Sequence, residues 1–143
     1  MNLELILIYI HILSALYWVG GDMLFFSFGY SIRKIYKDKS LTPGFRALGK
    51  TFRVGSWICV ILLILTGTYL LIKRWGGINN IMLFKLILFG ILLILKILHD
   101  FLFAPRGAKE EIPSFYYKST MLIARLNLLI MLIIIYLSMI FVR

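Results

Sequence analysis

The chain has 143 residues, 62% hydrophobic and 15% charged, with a mean hydropathy of +0.95 and a net charge of +10. A water-soluble domain is nearer half apolar and a quarter charged, so this composition excludes a disordered chain and argues against a soluble enzyme. On so apolar a chain the basic excess reads as loops beside a membrane, not as a nucleic-acid surface.

The length fits a single domain. Four apolar runs are long enough to cross about 30 Å of hydrocarbon. The first covers residues 3–28 and is interrupted by Glu4, His11 and Asp22. Its start lacks a basic segment and it has no small-residue cleavage site, so it reads as a retained span, not a signal peptide. The second covers 54–72, bracketed by Trp57 and Trp75 as an interfacial aromatic belt would be. The third covers 81–103 and carries Lys85, Lys96, His99 and Asp100. The fourth covers 119–142 and carries Arg125 and Asn127. Backbone groups facing lipid must bond within their own segment, so all four are expected to be helices. Short connections favour an all-α, antiparallel four-helix bundle, one transmembrane domain over residues 1–143.

The connections carry turn residues. Pro43 and Gly44 lie in a long loop over 29–53, Gly76-Gly77 reads as a tight turn, and Pro105, Gly107 and Pro113 punctuate the third connection. The loop over 29–53 holds seven Lys and Arg and that over 104–118 holds three, against Lys73, Arg74 and Arg143 on the other side. This asymmetry predicts a multi-pass protein of the cytoplasmic (inner) membrane with both termini outside.

Charged side chains inside hydrocarbon are costly and need a reason. On the first span His11, Ser14, Ala15, Trp18, Asp22 and Phe25 share one helical face. On the third, Lys85, Leu92, Lys96 and His99 do so. Both faces are expected to point inward. His11 lies about 12 Å and Lys85 about 8 Å from the outer end of its span at 1.5 Å per residue. The two are therefore expected to meet in the outer half of the bundle. Thr66, Thr68, Tyr69, Tyr136 and Ser138 lie at similar depth. An inner layer comprises Asp22, Lys96, His99, Asp100, Arg125 and Asn127. Its acids can offset its bases, so it reads as structural pairing.

No acid at that depth matches Lys85, and desolvation disfavours its charge. An uncharged Lys85 amine and the His11 imidazole are then two candidate metal ligands. The alternative is that Lys85 snorkels outward and His11 bonds to a neighbouring carbonyl or hydroxyl. His11 and His99 are roughly 18–20 Å apart in depth, so both cannot ligate one iron within one chain. A dimer, which the sequence leaves open, would bring two His11 residues together. A haem held by His11 alone or by His11 and Lys85 fits the histidine count. Copper would draw on Cys59, Met82 and Met139. One cysteine excludes an intramolecular disulfide and a cysteine-cluster metal site.

The segment His11-Ile-Leu-Ser-Ala-Leu-Tyr-Trp18-Val-Gly20-Gly21 resembles the first helix of the CopD-like membrane proteins, associated with copper uptake and resistance. Thr66-Gly67, Lys85-Leu86 and Arg125-Leu126-Asn127 look like the same family. The His-to-Trp spacing and the early Lys of the third span also resemble the HemJ-type protoporphyrinogen oxidase. Where that pattern carries a Tyr-Leu-Pro-Arg-like stretch, this chain reads Gly20-Gly21-Asp22-Met23. The resemblance implies a b-type haem between the first and third helices, with His11 and Lys85 as ligands or immediate contacts. Trp18 would pack the pocket, Gly20 and Gly21 would allow close helix approach, and Lys85 would be the catalytic residue. The implied activity is redox: porphyrinogen oxidation, or electron transfer to a membrane redox partner or quinone. Copper transport is the alternative implied by the CopD side. A cofactor-free accessory subunit of a membrane complex is a third reading.

Overall fold

The computed structural model describes residues 3–35, 42–74, 80–103 and 115–141, and all of them are helical. In chain order they are α1 (Leu3–Ile35), α2 (Thr42–Arg74), α3 (Asn80–Ile97), a six-residue π-helical segment (Leu98–Phe103) and α4 (Phe115–Phe141). Each span is long and apolar enough to cross a membrane: Leu3–Phe25, Ala47–Lys73, Asn80–Leu102 and Ser119–Met139.

Two helices run further than their apolar stretches. α1 continues to Ile35 and α2 begins at Thr42, so most of the expected loop over 29–53 is helix. Arg and Lys are good helix formers, and no proline interrupts 29–35. Pro43 is tolerated because it stands in the first turn of α2, where an N–H would lack an intrahelical acceptor. A 33-residue helix is about 50 Å long, well beyond the hydrocarbon thickness. The expected turn at Gly76-Gly77, the belt residue Trp75, and Pro105, Gly107 and Pro113 lie outside the described residues.

The chain divides into two compact units, Met1–Gly77 and Ile78–Arg143. In the first, α1 packs against α2. Gly21 meets Phe52, Tyr17 meets Gly55, and His11 meets Thr66 and Gly67, so the two helices are antiparallel. Gly21 and Gly55 leave space that an aromatic side chain of the facing helix fills. A Cβ on Gly21 would collide with the Phe52 ring, and one on Gly55 with the Tyr17 hydroxyl. Phe52 is also flanked by Tyr17 at 5.7 Å and Phe25 at 4.9 Å between ring centroids. Trp18, Val60, Leu63 and Leu70 are buried, as are Ser14, Ser56 and Thr66. Ser56 donates to the Arg53 carbonyl at 2.9 Å, which satisfies its hydroxyl inside the helix.

In the second unit α4 packs against α3 and the π segment. Met82 and Leu92 of α3 are buried, as are Ile123, Asn127 and Met131 at four-residue steps on α4. Among the described residues 36 large hydrophobic side chains are exposed against eight buried. In water that surface would aggregate; in a bilayer it is the solvated face.

Candidate functional site

His11 is oriented by α2. Its Nδ1 lies 2.8 Å from Thr66 Oγ1, and Thr66 Oγ1 lies 2.6 Å from the Leu62 carbonyl oxygen. A threonine hydroxyl has one hydrogen. Thr66 donates it to Leu62, so its oxygen accepts from His11 and Nδ1 carries the proton. In the neutral ring the lone pair then belongs to Nε2. Gly67 shapes the other contact, since a Cβ there would stand 3.2 Å from His11 Cε1. The imidazole is thus held against α2 by a hydroxyl on one residue and the bare backbone of the next.

Trp18, two turns along α1, is buried at 3% exposure. At Gly21 the Phe52 ring of α2 occupies the place a Cβ would take. A Cβ on Gly20 would meet nothing within 4 Å among the described residues. His11, Trp18, Gly20 and Gly21 all belong to the first unit. Lys85 belongs to the second, half-buried on α3, one turn after the buried Met82. Met139 is 68% exposed and Cys59 half-buried. Among the described residues no three His, Cys, Asp or Glu side chains are grouped as a metal cage.

A second polar cluster lies where α3 passes into the π segment. Lys96 Nζ donates to Asp100 Oδ2 at 3.0 Å, and both side chains are buried. The expected offset of Lys96 by Asp100 is therefore present. His99 joins it through Nδ1, 2.9 Å from Asp100 Oδ1. Arg125 is exposed on α4, and Asp22 is half-buried in the first unit. Asn127 is 5% exposed, and its Oδ1 accepts no hydrogen bond from the described residues.

Sequence spacing puts Lys96, His99 and Asp100 near one another but does not foresee the π segment. Nothing in Leu98-His99-Asp100-Phe101-Leu102-Phe103 breaks a helix, since it contains neither Pro nor Gly. π turns are rare and recur at functional sites.

No family model matches the chain, and no solved structure matches it. An uncharacterized protein of Aquifex aeolicus (strain VF5) is 29% identical over 135 residues, covering 92% of this chain and 90% of its own.

Proposed function

We propose that the protein is an integral membrane redox protein of the CopD/HemJ-like group that holds a b-type haem through His11. Lys85 is proposed as the residue on which catalysis depends. The observation that carries this reading is the orientation of His11: Nδ1–H donated to Thr66, with the lone pair on Nε2. Imidazoles that ligate metals are held in this way, one nitrogen tied to an oxygen of the protein and the other turned to the metal. Gly67 leaves room beside the ring and Trp18 supplies a buried apolar wall. A haem would need only one or two ligands from the chain, so the donor set needs no larger cage.

When bound, the haem would supply one-electron chemistry, for porphyrinogen oxidation or for electron transfer within the membrane. This chain's residues do the rest. His11 binds, Thr66 keeps its tautomer and orientation, and Gly67 clears space. The charge asymmetry of the connections supports an inner-membrane location with both termini outside. Copper transport is the second reading, favoured by the burial of Met82 one turn before Lys85.

The test is the absorption spectrum of the detergent-purified protein, air-oxidised and then reduced with dithionite, from cells with ample haem. A Soret band with α and β bands that sharpen on reduction is expected. A featureless spectrum overturns the haem assignment, and metal analysis then decides for or against copper.

A further inference from the structure

The second unit holds another oriented imidazole, and its chemistry differs from that of His11. Both carboxylate oxygens of Asp100 are engaged, Oδ2 by Lys96 and Oδ1 by His99. The charges of Lys96 and Asp100 cancel. In the neutral His99 ring the proton facing Asp100 sits on Nδ1, so Nε2 carries the lone pair. The Lys96 and Asp100 side chains are 6% and 7% exposed, whereas that of His99 is 27% exposed. The reachable end of the array is therefore the imidazole.

What reaches it must come through an apolar medium. Ile97, Phe101 and Leu102 around His99 are exposed hydrophobic side chains. His99 lies three residues, less than one helical turn, from the end of its span at Leu102. That is the depth at which amphipathic head groups meet hydrocarbon. An acceptor nitrogen backed by a carboxylate calls for a hydroxyl donor, and for one that yields its proton readily.

We propose that His99 Nε2 is the hydrogen-bond acceptor of a binding site for a membrane-dissolved hydroquinone, with Asp100 and Lys96 orienting the ring. The choice of hydroquinone among hydroxyl compounds rests on the redox reading above. The bond formed is O–H···Nε2, and the ligand's tail stays in the lipid. Within the π segment the His99 side chain is 27% exposed while that of the adjacent Asp100 stays buried.

The chain has two histidines, which makes the test direct. The full-length protein, labelled with 15N-histidine and held in lipid nanodiscs, is titrated with decylubiquinol kept reduced by dithionite. His99→Gln identifies the His99 signals by their loss. The expected result is a saturable upfield shift of His99 Nε2, with His11 unmoved. Lys96→Met/Asp100→Leu, which frees the ring but leaves no unpaired charge, should weaken the apparent affinity at least tenfold. No saturable shift at His99 overturns the proposal. So does an equal shift with 1-decanol at the same mole fraction, which would make the site one for any membrane alcohol. A shift in a preparation without a Soret band upholds the hydroquinone site and removes the haem assignment; a Soret band without the shift does the reverse.

Discussion

His11 makes a bond that a purely structural histidine would also make. The bond fixes the tautomer. Thr66 consumes Nδ1 and spends its own hydrogen on Leu62, so the ring's basic nitrogen is Nε2. Thr66→Val keeps the shape and removes the acceptor. It should cost about 1 kcal/mol of stability, the net value of a hydrogen bond, and broaden the bands of the proposed haem as the ring loses its fixed orientation. Thermal unfolding in detergent and the reduced spectrum measure the two effects; unchanged bands would mean that Thr66 does not orient the ligand. Depth along the helix is legible from the sequence within the first pair: it puts Thr66 at the level of His11, and the two bond. Rotation about the helix axis is not, because it is decided by packing. Thr68 and Ser138 turn back to their own helices, bonding Ile64 and Ile134 carbonyls at 2.7 Å, and Tyr136 is 65% exposed. Asn127 raises a different point. A buried acceptor without a donor costs about 1–3 kcal/mol. Asn127→Leu should therefore raise the midpoint of thermal unfolding; a fall would show that its amide has a role that packing does not reveal.

The helix pair α1/α2 is built on glycines that meet aromatic rings. Gly21 against Phe52 and Gly55 against Tyr17 leave no room for a methyl group. Gly21→Ala should destabilise the pair by about 1–3 kcal/mol, the usual cost of overpacking, whereas Gly20→Ala should be close to neutral. Comparing the two variants in one unfolding assay checks the assignment, and equal effects would contradict it. Both glycines look alike in the sequence; only the direction each faces separates them. The apolar stretches are legible in the same way but incompletely. They mark where lipid is, and helices continue past lipid as long as nothing stops them, which is why α1 and α2 extend into the expected loop. In the second pair, the Lys96–Asp100 contact follows from four-residue spacing. The π segment does not follow from any residue type. Lys96→Met, which leaves Asp100 buried without its lysine, should destabilise by about 3–5 kcal/mol, and adding Asp100→Leu should recover most of the loss.

For the molecule as a whole, the surface makes the strongest statement. Four apolar helices with large side chains turned outward describe a protein whose solvent is a bilayer, and composition alone announces this. The two helix pairs each carry an oriented imidazole, tied at Nδ1 to a hydroxyl in one and to a carboxylate in the other. The central claim is that the first of these binds a haem iron. It is tested most directly by the dithionite-reduced spectrum of His11→Ala, recorded with and without added imidazole. The account expects the Soret band to be lost and to return, at least in part, when imidazole fills the place of the missing ring. A variant that keeps its full haem band without imidazole would contradict it.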